Sequence, residues 1–307
     1  MKKTFNYVVI GMGVQGLKRA NFEKKNFVGF VDPNNKKAKF EKISKVPLET
    51  YNSAFVCTPD NKKEKIINYL LKNKKNVLVE KPLYFKDKNV IKKLYALARK
   101  NKVVLYTAYN HRFEPHLKKI KYLIKKKKIG KIYLCNIFYG NGTSLLVKKS
   151  PWKDKGKGII LDLGSHLIDL SDYLFALKKK KSFKLIDNIK FENLSPDYSR
   201  FSYYGKKLQI NFEMSYCIWK NSFFLDLIGK NGSIHMKCLC KWGPSELIIR
   251  KRIKPSGIPK SKNFKIKLKD PTWEEEYLYF KKKVTDKKVK NNEEKDIWIN
   301  NILNLLT

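Results

Sequence analysis

The 307 residues are 42% hydrophobic and 13% aromatic, enough for one large core or two of medium size, and at roughly 150 residues per domain two are expected. No apolar run reaches the roughly 18 residues of a membrane span, and Met1-Lys2-Lys3-Thr4 leads into a strand-like stretch instead of a signal-peptide core, so a cytoplasmic protein with no membrane partner is expected. The formal charge of +41 would ordinarily point to nucleic acid. However, only Arg19, Arg99, Arg112, Arg200, Arg250 and Arg252 carry the bidentate fork on which phosphate and base recognition leans, and the lysines are spread along the whole chain. That spread, with abundant Asn and Ile, reads as compositional drift, and no nucleic-acid partner is expected. The runs Lys125–Lys128 and Lys178–Lys181 read as solvated helix ends or loops that could attract anionic substrates.

In chain order, Tyr7–Ile10, Phe27–Val31, Ser53–Cys57, Asn76–Val79 and Val103–Tyr106 read as strands, with helices such as Lys62–Lys72 and Lys88–Asn101 between them. This rhythm predicts a parallel sheet with helices on both faces. From about Ile132 longer alternating stretches appear: Ile132–Tyr139, Tyr198–Tyr204, Gln209–Tyr216, Phe223–Ile228 and Glu246–Ile253, interrupted by one strong helix from Ile160 to Leu174. Two helical segments, Trp273–Val284 and Glu293–Leu306, close the chain around a charged connection. The expected fold is α/β: an N-terminal Rossmann parallel sheet over residues 1–107, then a C-terminal α+β domain on a mostly antiparallel sheet over residues 108–307, for substrate binding and oligomerisation.

Gly11-Met12-Gly13-Val14-Gln15-Gly16 follows the first strand and opens a helix, the context in which G-x-G-x-x-G signals a dinucleotide. Gly11 allows the tight turn, Gly13 lets main chain approach a pyrophosphate, and Gly16 lets helix and strand pack closely, while the helix N-terminus supplies amide donors. Asp32 ends the second strand where a carboxylate accepts from ribose hydroxyls; it repels a 2′-phosphate, so NAD is expected over NADP. The spacings Gly16 to Val28 and Asp32 to Ala54 are short, which predicts an abbreviated adenine side.

Further signatures follow in fixed order. Phe55-Val56-Cys57-Thr58-Pro59, Val79-Glu80-Lys81-Pro82-Leu83, Tyr109-Asn110-His111-Arg112-Phe113, the spaced set Gly158, Asp162, His166 and Asp169, the turn Ile228-Gly229-Lys230-Asn231-Gly232, and Phe280 in a C-terminal helix together resemble the glucose-fructose oxidoreductase / inositol 2-dehydrogenase (Gfo/Idh/MocA) family over nearly the whole chain. The resemblance implies an NAD(P)-dependent oxidoreductase acting on a hydroxyl carbon of a sugar, nucleotide-sugar or cyclitol. It also implies cofactor contacts at Cys57, Thr58, Pro59, Glu80, Lys81 and Asn110, and a cis bond before Pro82. Lys63, where the family often has histidine, and Gly156-Lys157-Gly158 depart from its pattern.

Hydride transfer needs a base and a charge stabiliser beside the nicotinamide. On an α-helix Asp162, His166 and Asp169 fall on nearly one face. His166 has the chemistry of a general acid-base near neutrality, Asp162 can orient it or contact substrate, and Asp169 reads as structural. Lys81, at the end of a parallel strand, can stabilise an alkoxide. Lys81, His166 and Asp162 are therefore the expected catalytic groups. Arg112 and Asn110 read either as crossover residues or as contacts to substrate and nicotinamide ribose, and Trp152 as a sugar-stacking or a core residue. An Asp/His/Asp face could hold a divalent cation, but the lysine partner argues against it and no metal is expected. His111, His116 and His235 lack companions in sequence. Cys57, Cys135, Cys217, Cys238 and Cys240 read as reduced thiols, with Cys238 and Cys240 on one strand face. A non-catalytic dinucleotide-binding regulator of the same fold is the alternative, followed by a glycosidase that uses the cofactor transiently. A sheet with one bare face predicts a homodimer or homotetramer.

Overall fold

The computed structural model describes residues 5–177, 182–286 and 292–307; the run Lys178–Lys181 and most of the charged connection between the last two helices lie outside them. The chain forms two compact units, Met1–Tyr109 with Trp273–Asn301, and Asn110–Thr272 with Ile302–Thr307.

The first unit opens with β1 (Tyr7–Ile10), α1 (Val14–Arg19), β2 (Phe27–Val31), β3 (Ser53–Val56), α2 (Asp60–Lys72), β4 (Asn76–Glu80), α3 (Lys88–Lys100) and β5 (Leu105–Ala108). Its strands form an all-parallel five-stranded sheet in the order β2-β1-β3-β4-β5. Alternate residues serve two cores. Val8, Ile10, Ala54, Val56, Val77, Val79 and Leu105 pack against Ile67, Leu70 and Leu71 of α2 and Ile91, Leu94, Tyr95 and Ala98 of α3. Tyr7, Val9, Phe55, Leu78, Tyr106 and Ala108 fill the other core. The expected brevity is present: α1 has six residues, and between β2 and β3 the helical structure among the described residues is limited to two 3-10 turns, Ile43–Lys45 and Leu48–Thr50.

The second unit contains α4 (Pro115–Lys125), β6 (Ile132–Gly140), α5 (Ser144–Lys148), α6 (Pro151–Asp154), α7 (Ser165–Phe175), and β7 (Phe183–Ile189), β8 (Tyr198–Tyr204), β9 (Gln209–Ser215), β10 (Ser222–Gly229), β11 (Gly232–Lys237), β12 (Ser245–Ile253) and β13 (Gly257–Ile266). The described strands form an eight-stranded sheet in the order β13-β12-β11-β10-β6-β9-β8-β7, antiparallel except for the β6–β9 pair. Cys135, Ile137, Tyr139, Phe223, Leu225, Leu227, Phe212 and Met214 are buried along its central strands. Residues Ile160–Gly164 form a π-helical turn that runs into α7, so the expected single α-helix from Ile160 starts with a wider turn. Cys238 and Cys240 are not on a common strand face: β11 ends at Lys237, Cys238 turns the chain with φ +63°, and Cys240 opens a 3-10 turn.

The chain closes with α8 (Thr272–Thr285) and α9 (Glu293–Leu306). The sequence pattern predicts 108–307 as one continuous domain; instead Trp273–Asn301 packs with the first unit. The cause is the sheet's second face, which the short α1 cannot cover. Tyr277 and Phe280 of α8 complete that core, and Ile297 of α9 packs on the other. Buried polar links fix them: Asp296 accepts from the Tyr95 and Thr107 hydroxyls at 2.5 and 2.6 Å, and the Asn300 side chain accepts from Phe85 N at 2.8 Å.

Candidate active site

In the first unit the C-terminal ends of the parallel strands deliver Gly11, Asp32, Cys57 and Lys81 to one edge of the sheet, the edge at which such sheets bind ligands. Gly11 has φ +95°, and a Cβ there would meet Cys57 O at 2.5 Å; a Cβ on Gly16 would fall 1.9 Å from Gly11 O. Glycine is thus obligatory at both positions for the turn to lie against β3. Gly13 differs, because nothing lies within 4 Å of where its Cβ would be, and Gly13, Val14 and Gln15 are exposed. Asp32 sits beside this turn, accepting from Met12 N at 2.7 Å and Asn34 N at 2.9 Å. Thr58 Oγ1 is buried and, among the described residues, has no hydrogen-bond partner. Open space over a glycine at a helix N-terminus, a carboxylate next to it and an orphaned hydroxyl at the adjoining strand end fit a dinucleotide.

The strand-end residues have firm supports. Burial raises the Cys57 thiol pKa, so it stays protonated. Pro59 precedes the first turn of α2. The Glu80 carboxylate accepts from buried Arg19 at 2.8 Å, and Arg19 also donates to Glu276 at 2.6 Å. Burial alone would lower the Arg19 pKa, but the two carboxylates more than reverse this, while burial pushes Glu276 up to about 7. Lys81 follows β4, half-buried, and the Lys81–Pro82 bond is cis.

In the second unit the π-turn rotates Asp162 relative to the 3.6-residue period on which the one-face expectation rested. Asp162 Oδ2 accepts from the Tyr216 hydroxyl at 3.0 Å, and burial together with this carboxylate raises the phenol pKa well above its ordinary value. His166 is buried and stacks on His111, ring centroids 4.1 Å apart and planes 21° apart. Tyr139 lies 5.4 Å from the His111 ring and receives a hydrogen bond from Lys241 Nζ at 3.0 Å. Asp169 takes Arg112 in a bidentate pair at 2.6 and 2.7 Å, which commits that guanidinium to α7. Asn110 Nδ2 donates to Thr272 Oγ1 at 2.9 Å. Trp152, on α6, is 51% exposed.

Residues 5–109 match the family model described as an oxidoreductase family with NAD-binding Rossmann fold, and residues 117–235 match the GFO/IDH/MocA C-terminal domain. The chain belongs to the Gfo/Idh/MocA oxidoreductase family. It is 32% identical over 117 residues to trans-1,2-dihydrobenzene-1,2-diol dehydrogenase of Xenopus laevis, covering 38% of this chain and 35% of that protein. With glucose-6-phosphate 3-dehydrogenase of Bacillus subtilis it shares 25% identity over 261 residues, 75% of this chain and 69% of the relative. The match thus spans about a third of the first of these relatives and about two thirds of the second. A levoglucosan dehydrogenase in complex with NADH shares the fold, with a TM-score of 0.78, 17% identity and coverage of 98% of this chain and 95% of that one.

The histidines that lack companions in sequence have them in this Gfo/Idh/MocA chain: His111 has His166, His116 Nδ1 lies 2.9 Å from Ser245 Oγ, and His235 sits between Asp226 and Ser233 at 2.6 and 2.7 Å. Sequence reasoning also missed Arg19, Lys63, Tyr139, Tyr216 and Lys241. The departure at Lys63 was the one available signal; the others are ordinary residues of helix, strand or turn whose partners lie far along the chain. Among the described residues no helix is long and apolar enough to cross a membrane, and no three His, Cys, Asp or Glu side chains cluster as a metal-ligand set.

Proposed function

We propose that this protein is an NAD-dependent dehydrogenase acting on a hydroxyl carbon of a sugar, nucleotide-sugar or cyclitol. The observation that carries the reading is the cradle at Gly13, open at the start of α1 and flanked by the Asp32 carboxylate. An acid at the end of β2 accepts hydrogen bonds from a ribose diol and repels a 2′-phosphate, which favours NAD over NADP. Gly11, Met12, Gly13, Val14, Gln15 and Gly16 would hold the pyrophosphate, with Cys57, Thr58 and Pro59 next to the reactive end.

The nicotinamide, when bound, supplies the hydride acceptor. The Lys81 ammonium donates to the reacting oxygen and stabilises negative charge on it. His166 takes the hydroxyl proton, its ring held by the stack on His111. Asp162, fixed by Tyr216, keeps an acceptor at the same helix turn. Free cysteines agree with a reducing, cytoplasmic setting. The outward face of the eight-stranded sheet, where Phe224 and Ile228 are exposed, supports a homodimer or homotetramer, which sedimentation as a monomer alone at working concentration would exclude.

The test is NADH fluorescence with NAD and a panel of free sugars, nucleotide-sugars and cyclitols. Turnover is expected in the wild type, with kcat lower by about 10³-fold in Lys81→Ala and by about 10²-fold or more in His166→Ala. Silence across the panel with NADH binding intact would favour a non-catalytic regulator.

A further inference from the structure

Lys63 lies on the first turns of α2, yet its side chain is 2% exposed. An ammonium taken out of water loses its hydration, and the loss is offset only where each of its protons meets an acceptor. Here the three partners are Asp60 Oδ1 at 2.6 Å, Glu80 O at 2.7 Å and Pro82 O at 2.8 Å. Ile67, Leu70 and Leu71 already supply the apolar packing of the same helix. An ion in this position adds no hydrophobic burial; what it adds is direction.

The two carbonyls that Lys63 holds belong to the residues on either side of Lys81. β3 and β4 pair only as far as Val56 and Val79, so Glu80, the last residue of β4, pairs with Ala108 of β5 but has no rung on its β3 side, and Pro82 lies in a stretch without regular structure. Main chain at the last residue of a strand and beyond it is ordinarily the least constrained part of a sheet. Lys63 adds the constraint missing on the β3 side by donating to both carbonyls, while Asp60, three residues earlier on the helix, fixes the ammonium itself. The Glu80 side chain is held independently by Arg19.

We infer that Lys63 is a positioning residue, whose ammonium clamps the main chain on both sides of Lys81 and so sets where the Lys81 side chain is presented. The inference rests on the proposed role of Lys81 in hydride transfer, and the test separates the two. Lys63→Met removes the donors at similar length; if it does not fold, Lys63→Gln, which reaches at most one carbonyl, is read by the same measures. Two readouts are taken on the folded variant. The first is steady-state kinetics, in which kcat is expected to fall by about 30-fold while KM and NADH binding change by less than about twofold, the pattern of an interaction made only in the transition state. The second is the rate at which acetic anhydride labels Lys81, followed by peptide mass spectrometry against Lys260 on β13. That rate is expected to rise by about fivefold or more when the clamp is lost, since access governs it. A folded variant with wild-type kcat and a Lys81 labelling rate within about twofold of wild type overturns the inference. If the wild-type protein turns over no hydroxyl substrate, the hydride-transfer reading fails, and the labelling comparison alone decides whether Lys63 positions Lys81.

Discussion

In the unit of Met1–Tyr109 and Trp273–Asn301 the ligand-facing edge is made of main chain: a glycine turn pressed against Cys57 O, an open helix N-terminus and carbonyls pinned by a buried lysine. In the unit of Asn110–Thr272 the candidate chemistry is made of side chains, each held by a partner far along the chain: Asp162 by Tyr216, Asp169 by Arg112, His166 by His111. Binding a cofactor common to many enzymes asks for shape that main chain can supply. Proton transfer to one substrate asks for groups whose protonation and direction are set by neighbours. The first region should therefore fail sterically when altered and the second electrostatically.

The largest expected effect comes from the glycines. Gly16→Ala drives a methyl into Gly11 O, so the turn must open; NADH affinity is expected to fall at least about 100-fold, with about 1–3 kcal/mol or more lost in stability. Gly13→Ala adds the same methyl to open space, so it should melt like wild type yet bind NADH about tenfold or more weakly. Unchanged NADH binding in Gly13→Ala would break the assignment of that space to a pyrophosphate.

In the second unit two carboxylates near one another on the same helical run should behave differently. Asp169→Asn removes the charge opposite the bidentate Arg112 and is expected to cost about 3 kcal/mol in urea denaturation. Asp162→Asn loses one neutral donor's preference and should cost about 1 kcal/mol, with its main effect on kcat. Equal stability losses would erase the distinction between scaffold and chemistry drawn here.

An effect confined to one pH range sharpens the electrostatics of the first unit. Glu276 ionises at about 7 when folded, because it is buried, and near its ordinary 4.5 when unfolded. Between those values the native state keeps a proton that the unfolded chain has released, so this group's contribution falls as pH rises from 4.5 to about 7 and is constant above. Glu276→Gln should flatten that part of the stability profile, by on the order of 1–3 kcal/mol.

These contrasts also explain what could be read in advance. Glycine spacing, a strand before it and an acid after it are local, so the nucleotide edge was legible, as were strands such as Tyr7–Ile10 whose residues are all buried. β13 was not: Lys260, Lys262 and Lys265 give an exposed edge strand no apolar alternation to detect. The start at Ile160 of the helix that carries His166 was legible, but its wider first turn was not, since a π-turn leaves no pattern in residue type. The pairings of Asp162 and His166 depend on which distant strand or crossover folds against them, and no spacing within the helix encodes that choice.

The return of α8 to the parallel sheet has a consequence for biosynthesis. When residues 1–109 leave the ribosome, Tyr7, Phe55, Leu78 and Tyr106 line a face whose cover, Tyr277 and Phe280, has not yet been translated. The nucleotide-binding unit is begun first, but its covering segment is translated only after Asn110–Thr272, so the nascent chain carries an aromatic surface through the synthesis of all those residues, and a truncation before Trp273 would leave that surface permanently bare.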